Sequence, residues 1–389
     1  MQFNNNNIKI GVLTPYSSIY PYMIPSFVNG FYSAIPEQYQ AIFQFIPEYI
    51  KQGGNKLVAE TTQKLIQFNN VDIVSGMANF KTISSIVPTI ERSKKLAFFF
   101  DLGEHIPYFE HKSDLVYLNS FQLWQSEYAL GYWAHKKFGD KGAVIMPLYD
   151  SGYHLQSAFR QGAISAGSDL IDYLVLPYLE GKSQVEGQIE HVFDKWLKDP
   201  PSYIHALFCG TEAVEFLTEF HKSALKGKIP LVISAHMASD EILSQLSNLS
   251  MEFYSASMWD YNSNDELNKK FKSSYLNQTG NKANIFSLLG YEMGLSFYPM
   301  IPEFQKKDWG AIISHLKTST VNSPRGERSF YIDSKYSTPE ISIEKIKLQT
   351  NTVHKLVIEQ GRSLAYNNEV FDEIHRENVT GWQNPYLCV

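Results

Sequence analysis

Short apolar runs, separated by stretches of helical periodicity, constrain this chain more than any other feature. The expected strands are Ile8–Thr14, Ala41–Pro47, Asp72–Ser75, Leu96–Phe100 and Val116–Asn119. Between them, helical patterns cover Ser26–Ile35, Asn55–Phe68 and Thr82–Arg92. In the second, Val58, Thr61, Leu65 and Phe68 fall along one face, and Asn55 is placed to cap it. Parallel strands need a crossover between them, and a helix of this length supplies one. The expectation is therefore a parallel sheet covered on both faces.

The rhythm then restarts. Leu123–Phe138 reads as a helix, Gly142–Pro147 as a buried strand, and Leu155–Ser165 as a helix stopped by a left-handed cap at Gly167. Strands Ile171–Leu176, Tyr203–Cys209 and Pro230–Ser234 follow, separated by helices Lys182–Leu197 and Thr211–Ala224. Beyond about Ser250 the pattern changes. A strand from Met251 runs into a loop, and helices are expected over Asp265–Thr279 and Phe286–Met300. "SPRGERSFYIDSKYSTPEISIEKIKL" reads as two strands around an exposed turn, and residues 360–389 carry no clear assignment.

A chain of 389 residues is long enough for two cores. With 44% hydrophobic and 19% charged residues, the composition is globular and not that of a disordered chain. A formal charge of −6, with the acids spread along the chain, argues against a general nucleic-acid binder. No apolar run approaches the roughly 18 residues of a membrane span, so no membrane insertion is expected. The start, "MQFNNNNIKI", has neither the basic nor the apolar region of a signal peptide. Asn4–Asn7 reads as a flexible leader, and two expectations stand: a cytoplasmic chain, or a mature exported chain carrying an added Met. Cys209 and Cys388 make no disulfide framework and match no metal spacing.

Enzyme motifs are largely missing. The sequence holds no G-x-G-x-x-G, no G-x-S-x-G and no H-E-x-x-H. "GAISAGS" at Gly162–Ser168 has the glycine spacing of a phosphate loop but no lysine, and reads as packing and capping. His105 and His111 read as surface histidines. No catalytic residue, cofactor or metal is expected.

What remains is a set of polar and aromatic residues just after the strands, where open α/β sheets bind ligands. These are Tyr16 and Ser17, then Asn79 and Phe80, then Asp101 with Glu104. In the second array they are Asp150, Ser151 and Tyr153, Thr211 and Glu212, and His236. Each has a plainer reading. Ser151 and Thr211 serve equally as N-caps, Tyr16 and Tyr20 as loop packing, and Asp101 and Glu104 as solvated charges. His236 could bond the backbone of its own loop. Their shared position, not any single residue, carries the functional reading.

The order of features resembles the type I periplasmic binding proteins of the leucine/isoleucine/valine-binding class, the substrate-binding components of ABC importers. "IKIGVLTPYSS…FVNGFYSAI" is similar to that family's opening strand, loop and helix, and "VDIVSGMANFKTISSIVP" to its strand entering a polar ligand loop. "KGAVIMPLYDSGYHLQSAFRQGAISAG", "NIFSLLGYEMGLSF" and "SPRGERSFYIDSKYSTPEISIEKI" resemble later motifs in the same order. The resemblance covers Ile8 to about Lys347. It implies an α/β fold of two doubly wound parallel-sheet lobes, joined by a three-crossover hinge with a ligand cleft between them. Lobe 1 would be residues 1–119 plus 254–330, and lobe 2 residues 120–253 plus 331–389.

The implied ligand contacts are Tyr16, Ser17, Asn79, Phe80, Asp101, Leu102, Gly103, Glu104, Ser151, Tyr153, Thr211, Glu212 and His236. The sequence also departs from the family. The opening loop has Ser18 in place of the usual Gly, Ser151 stands where a Tyr is usual, and "FDLGEH" replaces a small-residue and Thr loop. His236 replaces a carboxylate. The implied ligand is a small polar solute of amino-acid, amide or amine type, with a donor-rich or cationic head facing Asp101, Glu104 and Glu212. The implied partner is a membrane permease and the implied location is the periplasm. A cytoplasmic sensor of the same fold is the alternative.

Overall fold

The first five apolar runs become five parallel strands. In a computed structural model that describes residues 7–107, 112–180, 182, 183, 185–333, 336–377 and 384–387, these are β1 (Ile8–Thr14), β2 (Phe43–Tyr49), β3 (Ile73–Met77), β4 (Leu96–Asp101) and β5 (Val116–Ser120). They pair in the order β2-β1-β3-β4-β5, all parallel. Every residue of β3, β4 and β5 is buried, as expected for a sheet covered on both faces. On one face, Leu65, Ile83, Val87 and Ile90 from two crossover helices pack against Val74, Ala97 and Phe99.

The second array gives β6 (Lys141–Pro147), β7 (Leu170–Leu176), β8 (Tyr203–Ala206), β9 (Leu231–Ile233) and β10 (Met251–Ser257). Two short strands, β11 (Val321–Ser323) and β12 (Gly326–Arg328), pair with each other. β13 (Ile341–Gln349) and β14 (Thr352–Gly361) extend the second sheet, whose order is β14-β13-β10-β9-β8-β6-β7. β7 through β10 are parallel and the last two strands are antiparallel additions. Read from β7, the parallel part repeats the topology of the first sheet. Each sheet therefore has one switch point, between β1 and β3 and between β6 and β8.

The chain divides into unit 1 (residues 1–122, 260–338 and 383–389) and unit 2 (residues 123–259 and 339–382). The same device packs a helix pair in each. In unit 1, a Cβ added at Gly30 would lie 2.0 Å from the Ser287 carbonyl oxygen, and one at Gly290 would lie 1.9 Å from that of Phe27. In unit 2, Gly131 and Gly162 meet the carbonyls of Phe159 and Tyr128 in the same way, each at 1.9 Å. Glycine lets these helices touch backbone to backbone. Gly162 is thus a packing residue, and Gly167 ends its helix at φ +107.

Some sequence expectations are corrected. The expected hairpin over residues 323–348 is split: Gly326, at φ +90, closes the small β11–β12 ladder, while β13 pairs with β10 and β14. β13 takes the long-range edge of β10 on one side and β14, which follows it through a tight turn, on the other. The helix expected from Lys182 begins at Glu190, after Gly187 at φ +74, which cannot sit inside a right-handed helix. His105 is buried, 2% exposed, and not on the surface. Residues after 360 form the end of β14, a helix (Asn368–Glu377), and a segment, 384–387, that groups with unit 1 instead of the second lobe. Asn4–Asn6, His111 and Cys388 lie outside the described residues. Cys209 is disulfide-bonded. Among the described residues, no helix is long and apolar enough to cross a membrane.

Candidate functional site

In unit 1 the strand ends around the switch point form a buried polar cluster. β1 runs out through Thr14 into the loop that carries Tyr16 and Ser17. Tyr16 is 49% exposed and is tied only by its amide, which donates to the Lys51 carbonyl at 2.6 Å. Ser17 is buried; its hydroxyl accepts the Tyr20 amide at 3.0 Å and donates to the Leu387 carbonyl at 2.7 Å.

Asn79 follows β3 and caps the helix Phe80–Ser93, its Oδ1 accepting the Lys81 amide at 2.8 Å. Capping fixes the side chain, so its amide nitrogen is aimed. That nitrogen donates to Glu104 Oε1 at 2.9 Å and to the Asn384 carbonyl at 3.0 Å. Phe80, by contrast, belongs to the hydrophobic core under the sheet.

The "DLGEH" turn after β4 places Asp101 and Glu104 out of water, at 1% and 0% exposure. Leu102 is buried between them. Gly103 is at φ +75, and a Cβ there would lie 2.3 Å from the Gln122 Cα, so only glycine makes this turn. Burial pushes the Asp101 carboxyl up to about 7, against the opposing pull of the Ser120 hydroxyl, the Gly103 amide and the Arg325 charge. Glu104 is held well above the usual carboxylate range by burial and by neighbouring Asp101, opposed by its own amide, Asn79 and the Tyr386 amide. Two acids in one dry site cannot both ionise cheaply. Both carboxyls therefore ionise less readily than free ones, and whichever keeps its proton is a donor as well as an acceptor.

Arg325 supports this cluster from the β11–β12 turn. Its Nε and Nη2 donate to the two Glu292 oxygens, each at 2.7 Å, and Nη2 also reaches Asn119 Oδ1 at 2.9 Å. Both charged residues are 0% exposed. Burial raises the Glu292 carboxyl, but Arg325 outweighs it and the net shift is downward. Sequence reading missed this pair. The "SPRGER" stretch carried the only available signal, a charge beside a tight turn.

The unit 2 strand ends are built differently. After β6, a single turn of 3₁₀ helix (Asp150–Gly152) presents Ser151, whose hydroxyl donates to the Leu148 carbonyl at 2.7 Å instead of capping a helix. Tyr153 is buried and its hydroxyl bonds that of Tyr149 at 2.9 Å. After β8 the helix Gly210–Lys222 has Cys209 at its N-cap, with no side-chain capping bond. Thr211, exposed, and Glu212, half-buried, therefore stand in its first turn. His236, after β9, bonds the Phe208 carbonyl through Nε2 at 2.6 Å and lies 3.3 Å from the Ser234 hydroxyl. Burial lowers its pKa to about 4, so it is neutral at physiological pH. It ties the end of β9 to the end of β8, a neighbouring loop and not its own.

Ser17, Asn79, Asp101, Gly103 and Glu104 come together in unit 1. Ser151, Tyr153, Thr211, Glu212 and His236 occupy the equivalent strand ends of unit 2. Among the described residues, no group of three or more acidic, histidine or cysteine side chains could hold a metal. A groove lined by Lys226, Lys228, Met251 and Lys347 lies at the amino ends of β9 and β10, the wrong end of the sheet for a strand-end site.

Two parallel α/β units of repeated topology, each with polar strand ends at a switch point, define a class of ligand-binding scaffold. The family model described as "Periplasmic binding protein" matches residues 7–336. The chain belongs to this family, the type I periplasmic binding proteins, whose members bind solutes without chemical turnover. No curated protein matches the chain. Among solved structures it is similar to an ABC transporter substrate-binding protein from Sphaerobacter thermophilus, at 18% identity and TM-score 0.75, covering 92% of this chain and 99% of that one. A solute-binding protein of an R. palustris ABC transporter, in complex with benzoate, aligns at 16% identity and TM-score 0.69 over 93% and 98%. A branched-chain amino acid transporter substrate-binding protein from Streptococcus pneumoniae, in complex with isoleucine, aligns at 14% identity and TM-score 0.65 over 90% and 99%.

Proposed function

We propose that this chain captures a small polar solute outside the cytoplasm and delivers it to the membrane permease of an ABC importer. The solute is amino-acid-like or amide-bearing, and neutral where it meets unit 1. The observation that carries this is the Asn79–Glu104 pair, buried at the switch point and bonded at 2.9 Å. Beyond the N–H given to Glu104, Asn79 has one further N–H, which meets the Asn384 carbonyl, and Glu104 when protonated has both a donor and an acceptor, together the complement of a carboxamide. The elevated carboxyls change the sequence expectation of a cationic head, because acids that keep their protons give a cation little attraction. The cleft and hinge implied by the resemblance belong to this proposal: a solute that touched both units would favour a closed form by its differential affinity.

Thermal-shift and calorimetric titration with amino acids, carboxamides, amines and benzoates tests the reading. An amide or amino acid at about 100 times its Kd adds roughly 2.7 kcal/mol of stability, and Asn79→Ala weakens its binding at least tenfold. Stabilisation by benzoate-type anions alone, with no amide or amino acid among the ligands, overturns it.

A further inference from the structure

The segment Asn384–Leu387 lies across the same strand ends that the solute reading assigns to unit 1. Four loops meet it. After β2, Gly53 sits at φ +80, where an added Cβ would lie 2.8 Å from Cδ of Pro385. After β1, the Ser17 hydroxyl donates to the Leu387 carbonyl at 2.7 Å. After β3, Asn79 Nδ2 donates to the Asn384 carbonyl at 3.0 Å. After β4, the Glu104 carboxyl accepts the Tyr386 amide. Pro385, Tyr386 and Leu387 are buried, with Tyr386 at 0% and Leu387 at 1% exposure.

Three of these contacts go from side chains of the site to the backbone of the segment, which is how a protein reads an extended peptide. The donors and acceptors are used in matched order: an amide to a carbonyl, an N–H to a carboxyl, a hydroxyl to a carbonyl. Ser17, Asn79 and Glu104 are also the groups a small solute would need. Only one ligand can hold a given donor, so the segment and an external solute exclude one another at these atoms.

We propose that Asn384–Leu387 is a built-in occupant of the unit 1 half of the solute site, and that an external ligand binds by displacing it. The half-site is thereby a peptide-backbone site, and the ligands that compete best carry an amide or short peptide backbone. This rests on the solute-capture reading for the external ligand, but the occupancy itself does not.

The test uses the full chain and a chain ended at Gln383, which lacks Cys388, both fully reduced so that the Cys209 disulfide is open in each, with the peptide acetyl-Asn-Pro-Tyr-Leu-amide as probe. In the full chain, hydrogen exchange should show the Tyr386 amide slowed by at least 100-fold against the free peptide, with Asn79→Ala reducing that protection tenfold or more. The shortened chain, once shown to melt cooperatively, should bind the probe saturably, and the full chain should bind it at least tenfold more weakly. Any solute found to bind should bind the shortened chain more tightly than the full one. An unprotected Tyr386 amide in the full chain overturns the proposal whether or not the shortened chain folds. Equal solute affinity for the two chains also overturns it, while leaving solute capture intact. A protected Tyr386 amide and probe binding, with no solute bound by either chain, sustain the occupancy and sink the solute reading instead.

Discussion

The strand ends of units 1 and 2 stand at the same topological position and are chemically opposite. In unit 1 two acids are buried side by side, and burial drives both carboxyls upward. In unit 2 Asp150 and His236 are both buried at strand ends, and burial drives His236 down to about 4. The same cause, loss of water, disfavours the charged form of each group, acting on charges of opposite sign. Unit 1 also has a bidentate ion pair next to its strand ends, Glu292–Arg325, whereas Ser151 and Thr211 of unit 2 are tied only locally or stand in water. One switch point is a dry, braced receptor of fixed geometry. The other combines buried groups, Asp150, Tyr153 and His236, with the exposed Thr211.

Breaking the brace should have the largest effect. Arg325→Met leaves Glu292 buried without its cation, which should cost about 3–5 kcal/mol by urea denaturation. A loss below 1 kcal/mol would mean that unit 1 is no more rigidly set than unit 2.

The pH dependence separates the two units by sign. Asp101 has a higher pKa folded, about 7, than unfolded, 3.8, so its contribution is full below 3.8 and is lost as pH rises through 7. His236 has a lower pKa folded, about 4, than unfolded, 6.5, so its contribution is full above 6.5 and is lost as pH falls through 4. Relative to wild type, Asp101→Asn should gain stability progressively from pH 4 to 8, by on the order of 2–4 kcal/mol. His236→Gln should do the reverse, gaining as pH drops. Melting curves across this range check both, and parallel profiles for the two variants would erase the contrast.

Gly103→Ala places a Cβ against the Gln122 backbone at a left-handed φ and should cost about 2 kcal/mol. At the other end of the scale, Ser151→Ala removes one local bond on a part-exposed turn. It should change stability by less than about 0.5 kcal/mol, and a larger loss would show that unit 2 is braced here too.

Much of this was legible in the chain. Apolar period and helix length are local properties, so the parallel arrays, the Gly167 cap and the positions of the strand-end residues could be read from the sequence. The burial of His105 could not, because nothing in "GEHIP" reports what the chain folds over it. Nor could the fate of residues 384–387. "NPYL" is short and aperiodic, and its partners Ser17, Asn79 and Glu104 lie some 280 to 370 positions away in sequence.

The β13 pairing shows the same limit. Its strand pattern was visible, but the expected partner across the 323–328 turn pairs elsewhere, and β13 lies between the edge of β10 and β14. The sequence by itself therefore determined the fold class and the ends of the sheets where a ligand could lie, since both follow from residue periodicity and chain direction. Only the tertiary structure decided that the carboxyls of unit 1 are shifted upward and that the segment near the chain's end lies among them. Desolvation and docking depend on which distant groups exclude water from the same few cubic ångströms, and no local pattern carries that information.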